Sequence, residues 1–313
     1  MFRRLSRFAT APQLRQEQGS VTVMVVFSLV AVMGLAALVT DVGRLYLARQ
    51  RVVAVADAAA LSGAQFLPGD RVGAVQAVRE YLGKNGVDPD TVIIGMSDTE
   101  KILSVTVELQ VDYTFARILG HATDLVRAGA VAQVAPVTGF NNVTPLGVVQ
   151  ADWKLGDPVI LKASSGSGGT LSPGNYGPLA LGSRGANTYE NNLRNGYGDW
   201  IRAGDMLTTE TGNMAQPTQR ALQDRLALDP FATYETVSRH SPRILILPVL
   251  ESFTVNGRGE VKCVGFGAFF LDGVGTQGND RGTVYGRFLR FVVTGESTGE
   301  GPDFATYTIK LTH

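Results

Sequence analysis

The first regularity in the chain is an unbroken apolar run. From Gln18 through Thr40 no charged side chain occurs, and Val21–Val39 reads VTVMVVFSLVAVMGLAALV. Val, Leu, Met and Phe occupy every angular position of a 3.6-residue period, so no polar stripe forms. A helix that is apolar all round belongs inside protein or lipid. Nineteen residues at 1.5 Å each cover about 28 Å, close to the ~30 Å hydrocarbon thickness of a bilayer. Thr22 and Ser28 are its polar side chains, and each can bond back to its own helix. The pattern predicts a transmembrane helix over 21–39 behind a tail of residues 1–20. A cleaved secretory signal is the alternative, with Arg3, Arg4, Arg7 and Arg15 as its basic region. The apolar run exceeds the usual ~7–15 residues of such a signal. The following Thr40-Asp41-Val42-Gly43-Arg44 also offers no small-x-small cleavage site.

Periodicity changes after the apolar run. Asp41 to Phe66 continues as helix, with no proline and with alanine, the best helix former, dominant from Ala54 to Ala64. Val42, Leu45, Val52, Ala56, Ala59 and Gly63 recur in three- and four-residue steps. Two rows of small residues, Ala54/Ala58/Ser62 and Ala56/Ala60/Ala64, run at i, i+4 and permit close backbone approach. They could face the protein's own sheet or a partner helix. Pro68-Gly69-Asp70 predicts a turn, with Asp70 as N-cap of a helix from about Arg71 to Lys84. Val72, Val75, Val78 and Leu82 mark its expected buried face, and Asn85-Gly86 its end.

Period two then replaces period 3.6. Leu103, Val105, Val107, Leu109, Val111 and Tyr113 alternate with Ser104, Thr106, Glu108, Gln110 and Asp112, which predicts a half-buried strand. Thr91–Met96 and Leu125–Val134 are its expected partners, with a helical turn over Phe115–Gly120. Residues 136–145, with prolines, glycine and Asn141-Asn142, read as a linker. Beyond it, strands are expected at Val159–Ala163, Arg243–Val249, Val261–Leu271, Val284–Val293 and Ala305–Leu311. A helix is expected at Gln216–Leu228, with Pro217 in its first turn. The fold class is therefore α+β. A transmembrane helix continues into a long Ala-rich helix packed on a small antiparallel sheet. A mainly-β domain, 146–313, follows, and residues 136–313 are expected to fold on their own.

Composition narrows the function classes. Lys+Arg and Asp+Glu are both 28, so charge gives no reason to expect a nucleic-acid partner. One cysteine, Cys263, excludes an internal disulfide and a cysteine metal cage, and is expected as a small buried strand residue. His121, His240 and His313 lack metal-ligand spacing. No Gly-x-Ser-x-Gly elbow occurs. Asp272-Gly273 and Asn279-Asp280 do not fit an EF-hand loop. Within Ser164–Gly185, Gly166-Ser167-Gly168-Gly169 lacks the Lys-Ser/Thr of a phosphate loop, and Gly174-Asn175-Tyr176-Gly177 suggests tight turns. Glu190, Asp199, Asp205, Glu210 and Asp224 could supply carboxylate pairs, though solvated charge accounts for each. Asn142-Val143-Thr144 matches a glycosylation acceptor. No catalytic, cofactor or metal residues are assigned.

The run Asp41-Val42-Gly43-Arg44-Leu45-Tyr46-Leu47-Ala48-Arg49-Gln50, then Ala56-Asp57-Ala58-Ala59-Ala60-Leu61-Ser62-Gly63-Ala64, follows Gln18-Gly19-Ser20 and the apolar span. Together they resemble the TadG-like N-terminal region of Flp (tight adherence, Tad) pilus-assembly proteins. The resemblance covers residues 15–66 well and the helix-and-sheet module, 40–135, more loosely. It implies a bacterial inner-membrane protein involved in biogenesis of a thin adhesive pilus and related to pilin-like subunits. Its partners would be membrane lipid and pilus-assembly or envelope proteins, met through Ala54, Ala58 and Ser62. Pilin-type precursors carry a glycine before the cleavage site and a glutamate five residues after it; here Met24 stands five after Gly19. The von Willebrand-type Asp-x-Ser-x-Ser metal motif of longer relatives does not occur. Four arginines before the span, against Arg44, Arg49 and Arg51 after it, add a small positive-inside bias toward a cytoplasmic tail 1–20 and an extracytoplasmic remainder. The expected function is a non-enzymatic membrane-anchored assembly component. The alternatives are a minor pilin within the filament, or a tethered hydrolase using a carboxylate pair or a serine with His240.

Overall fold

In a computed structural model the described residues are 18–149, 153–162, 176–211, 214–253 and 258–312. The chain is α+β. It opens with α1 (Gln18–Ala64), a single helix of 47 residues and so about 70 Å long. Its two halves differ in surroundings. Val21–Val39 stand exposed apart from half-buried Ala37, while Val52, Val55, Ala56, Ala59, Ala60, Gly63 and Ala64 are buried.

α2 (Arg71–Lys84) folds back on α1, started by the Asp70 carboxylate, which accepts a hydrogen bond from Gly73 N at 2.8 Å. Gly63 is the crossing point. A Cβ there would stand 2.6 Å from Leu103 Cδ2 and Val78 Cγ2 and 2.9 Å from Ala74 O, so only glycine lets the two helices approach this closely. The buried face of α2 is Ala74, Val78 and Leu82. Val72, expected to be buried, is instead exposed, because the close approach at Gly63 turns Ala74 toward α1.

Strands β1 (Ile93–Met96), β2 (Ile102–Asp112) and β3 (Thr123–Pro136) form an antiparallel meander under α1. Leu103, Val105, Val107 and Val111 face the helix and are buried, as the alternation requires.

After β3 come β4 (Gly139–Phe140), β5 (Leu146–Val149), β6 (Pro158–Lys162), β7 (Tyr176–Ala180), α3 (Ala186–Asn195), β8 (Ile201–Arg202) and β9 (Met206–Thr209). Then follow α4 (Ala215–Leu228), β10 (Ile244–Leu250), β11 (Glu260–Val274), β12 (Val284–Leu289), β13 (Phe291–Val292) and β14 (Thr306–Thr312). Pairing closes a ring, β10–β5–β7–β9–β11 and back to β10, with β12 and β6 continuing from the far part of β11. The long β11 makes this possible. Its start pairs with β9 and its middle with β10, so one bent strand joins both ends of the sheet. Two apolar clusters fill the domain. One lies under α3 and α4 around Phe269 and Phe288, the other around Phe266 and Phe270.

Two sequence boundaries change. Residues 136–145 are not a free linker: Gly139 pairs with Arg202, Val143 is buried, and Thr144 N and Oγ1 both donate to Ile246 O. The end of the chain also leaves the second domain. β14 pairs antiparallel with β3 from Tyr307↔Pro136 to Thr312↔Val131, and β13 pairs parallel with β14. The first sheet is therefore β1-β2-β3-β14-β13, and the β-ring is inserted between two neighbouring strands of it. Tyr176-Gly177 lies in β7 rather than in a tight turn. The Gly166–Gly169 stretch, His313 and the arginines of the tail lie outside the described residues.

Candidate membrane interface

The helix α1 is long and apolar enough to cross a membrane. Its exposed half has Val21, Met24, Phe27, Val30, Met33 and Val39 all more than half accessible, and among the described residues none covers them. Exposure of that much contiguous apolar surface on one helix is what lipid accommodates and water does not.

The apolar run ends at Asp41, and this residue does more than mark an end. Asp41 is 5% exposed. Its Oδ1 accepts from Thr114 N at 2.8 Å, and its Oδ2 accepts from Phe115 N at 3.0 Å and Ala116 N at 2.7 Å. These amides open the single 3₁₀ turn Ala116–Leu119, whose first N–H groups have no partner within the turn itself. Arg44, one helical turn on, donates to the Thr114 hydroxyl. Burial alone would raise the Asp41 carboxyl. The amides of Ala116, Thr114 and Phe115, with the charge of Arg44, outweigh that effect and hold it below the usual carboxylate range. Asp41 thus latches the β2–β3 connection onto the helix at the level where the apolar run stops.

The latched turn is internally bonded. Ile118 N donates to Phe115 O, His121 N to Ala116 O, and Gly120 takes the left-handed conformation at φ 93° that closes the turn. Tyr113 donates its hydroxyl to Asp124 at 3.1 Å. Between this turn and Gly34–Leu45 of α1 lies a groove of about 670 Å³.

The small-residue rows divide. Ala56, Ala60 and Ala64 are fully buried against the sheet. The row expected to meet partners behaves differently: Ala54 is exposed, Ala58 half-buried, and Ser62 donates weakly to Ala77 O of α2 at 3.5 Å. One end of that row thus packs on the protein itself, and the end at Ala54 stays open.

The candidate catalytic groups fall elsewhere. Glu190 is held by Arg194 at 2.8 Å and Arg220 at 2.5 Å, and Asp224 by Arg194 at 2.5 Å. The Arg220 bond is the larger influence in holding the Glu190 carboxyl low. Asp199 accepts from Tyr197 Oη, Asp205 from Arg202 N, and Glu210 from Gly185 N. Asp272 pairs with Arg287, and Asp280 accepts from Tyr285 Oη. Each carboxylate named in the sequence thus anchors local structure.

A cleft of about 420 Å³ between the β-ring and α3–α4 contains His240 and Ser241. Ser241 donates to Asp229 at 2.5 Å, while His240 meets Ser238 through its backbone N–H. That is not a serine–histidine relay, in which the ring would take the hydroxyl proton. Arg225 in the same cleft donates to the carbonyls of Leu193 and Pro242, and its burial lowers it to about 10, still cationic near neutrality. Among the described residues no group of three His, Cys, Asp or Glu is placed to hold a metal. Cys263 is buried in β11, and burial pushes its thiol up to about 12. Thr144 of the glycosylation-like triplet is buried.

In the sequence Asp41 stands out only as the first residue of the stretch that resembles the Tad region. The available signal was an acidic residue directly after an apolar helix. Its partners, 73 to 75 positions away, carry no side-chain signature because they are backbone amides.

Residues 19–65 match the model of the Tad family, described as "Putative Flp pilus-assembly TadE/G-like". The matched stretch coincides with α1 almost end to end. No curated protein and no solved structure matches the chain.

Proposed function

Starting from that match, we propose that this protein is a non-enzymatic, membrane-anchored component of Flp/Tad-type pilus assembly or a related envelope complex. The observation that carries the reading is α1 itself. One helix, in the very stretch that matches the Tad model, is apolar and exposed over its first half and built into an α/β module over its second. A stiff continuous helix of this kind fixes the module to the membrane without a flexible tether. The arginines before the span support a cytoplasmic N-terminus and an extracytoplasmic remainder in the inner membrane. The ion-paired carboxylates and the Ser241–Asp229 bond support a structural rather than a chemical use of the β-ring.

Two measurements on the full-length protein test this. Intact mass of the membrane-purified chain is expected to show an uncleaved N-terminus. A species beginning at Ser20 and recovered from sheared filaments would move the assignment to a minor pilin, and one beginning after Val39 would remove the anchor. Phe231 is 91% exposed in the second domain. A Phe231→Cys variant should react with a membrane-impermeant maleimide in intact spheroplasts. Reaction only after lysis would reverse the proposed orientation.

A further inference from the structure

The turn latched by Asp41 presents an unusual surface. Ile118 is 82% exposed and Leu119 81%, with Phe115 at 42% and Leu125 at 55% beside them. Mobile loops do sometimes splay apolar residues into water, but this one is pinned at both ends. Three amides are held by Asp41, Tyr113 N donates to Ala122 O, and the Tyr113 hydroxyl reaches Asp124. The two aliphatic side chains are therefore held outward by the backbone.

Position identifies what meets them. The turn does not lie out on the second domain. It lies against α1 alongside Gly34, Ala37 and Leu38, and Ala37 is the one residue of Val21–Val39 that the protein half covers. Gly34 is seven residues before Asp41, about 10 Å along the helix axis. If α1 spans a bilayer over 21–39, the side of the turn that shares a groove with Ala37 and Leu38 faces a part of the helix below the level of Asp41, within the same apolar layer. Polar and cationic groups belong to the same structure: Arg44 bonded to Thr114, exposed Arg117 within the turn, and Tyr113, His121 and Asp124 along the groove. That is the arrangement of an interfacial element, with aliphatic residues inward and Tyr and Arg at headgroup level.

We infer that the Phe115–Leu119 turn is a second membrane contact, inserting Ile118 and Leu119 among lipid acyl chains beside α1. The groove between turn and helix has an apolar part, Leu38, Val42, Leu45, Phe115 and Leu119, which lipid chain covers in that state, and a polar part with Asp41, Tyr113, His121 and Asp124 that faces the headgroups. Two contacts fix more than one does. A lone helix leaves the module free to tilt and rotate about the helix axis. A helix with a wedge beside it sets the face that the module, and the open end of its small-residue row at Ala54, turns toward neighbours. The inference rests on the anchor reading above, and the test separates the two.

Full-length protein is reconstituted at one copy per nanodisc of phosphatidylcholine and phosphatidylglycerol. An environment-sensitive nitrobenzoxadiazole dye is attached in turn to Val30→Cys, Leu119→Cys and Phe231→Cys. All three side chains are exposed, so labelling does not disturb packing. Cys263 is buried, and wild-type protein serves as the blank. Nitroxide-labelled lipid is expected to quench Val30 and Leu119 by about twofold or more, since both dyes would lie in the acyl region. Phe231 should be quenched only by aqueous iodide. Val30 quenched by lipid but Leu119 quenched by iodide would overturn the wedge and leave the anchor standing. Leu119 shielded from both quenchers would mean that protein covers the turn, which also overturns the inference. Val30 not quenched by lipid would overturn the anchor reading and the wedge with it.

Discussion

Asp41 shows how one side chain can join two distant parts of a chain. A carboxylate has four lone-pair sites and no donor, and here it takes three backbone N–H groups that the short turn leaves unpaired. The effect depends on charge, so it depends on pH in a defined direction. The folded carboxyl lies below its ordinary value of 3.8. Its stabilisation is therefore complete above the unfolded value and is lost as pH falls through the folded one. Hydrogen exchange is the natural readout. Protection of the Thr114–Ala116 amides should stay constant from neutrality to pH 5 and decline only at pH values below the ordinary carboxylate range. Asp41→Asn keeps the shape but turns an amide donor toward amide donors, so these amides should exchange roughly tenfold faster or more. Unchanged protection in Asp41→Asn would show that the turn holds itself and needs no latch.

At the scale of the element, α1 is two helices in one. Its first half is uniformly apolar and its second is selectively small. Packing in the second half is set by what is missing from the side chains. Ala56, Ala60 and Ala64 are fully buried, and at Gly63 even a methyl group would meet Ala74 O at 2.9 Å. Leucine has almost the helix propensity of alanine, so replacing either row tests packing rather than helicity. Ala60→Leu should cost ~1–3 kcal/mol through overpacking, whereas Ala54→Leu, on the exposed end of the other row, should change thermal stability little. Melting temperatures of the two detergent-purified variants decide it. Equal melting temperatures would show that the helix–sheet spacing adjusts freely and that the buried row is not a constraint. The periodicity of the sequence identified both rows but could not rank them. Alanine is compatible with core and with water alike, and only the position of α2 and β2 distinguishes the faces.

At the scale of the molecule, the C-terminus returns to the beginning. β14 completes the first sheet by pairing with β3, and Lys101 pairs with Asp303 at 3.3 Å just before that strand. The β-ring is thus an insertion between adjacent strands, joined to the module by two chain crossings rather than one. Removal of Thr306–His313 would leave β3 an open edge and uncover core that Tyr307 closes. The truncated full-length protein should melt at a lower temperature by calorimetry and should self-associate by light scattering. An unchanged melting temperature would show that the module is complete without its last strand and that the return is only an attachment. The same topology bears on the expectation that residues 136–313 fold alone, since such a piece would carry β14 without β3.

What the sequence by itself determined is everything governed by local period and composition. An uncharged run of the right length defines a helix that can span a bilayer. Strict alternation places β2, and Asp70 starts α2, because these signals arise among residues a few positions apart. The strands β6, β10, β11, β12 and β14 and the helix α4 are legible for the same reason. Tertiary structure decided whatever depends on contacts across the chain. α3, β5, β7 and β9 are short and carry mixed patterns, and they gain their form from neighbours already in place. The return of β14 to β3, the closure of the ring on β11 and the burial of the 136–145 segment pair residues through backbone groups, which are the same in every amino acid. The grip of Asp41 on the Thr114–Ala116 amides belongs to that class as well. A side chain can announce that it seeks partners, but the backbone amides that answer it leave no trace in the order of the residues.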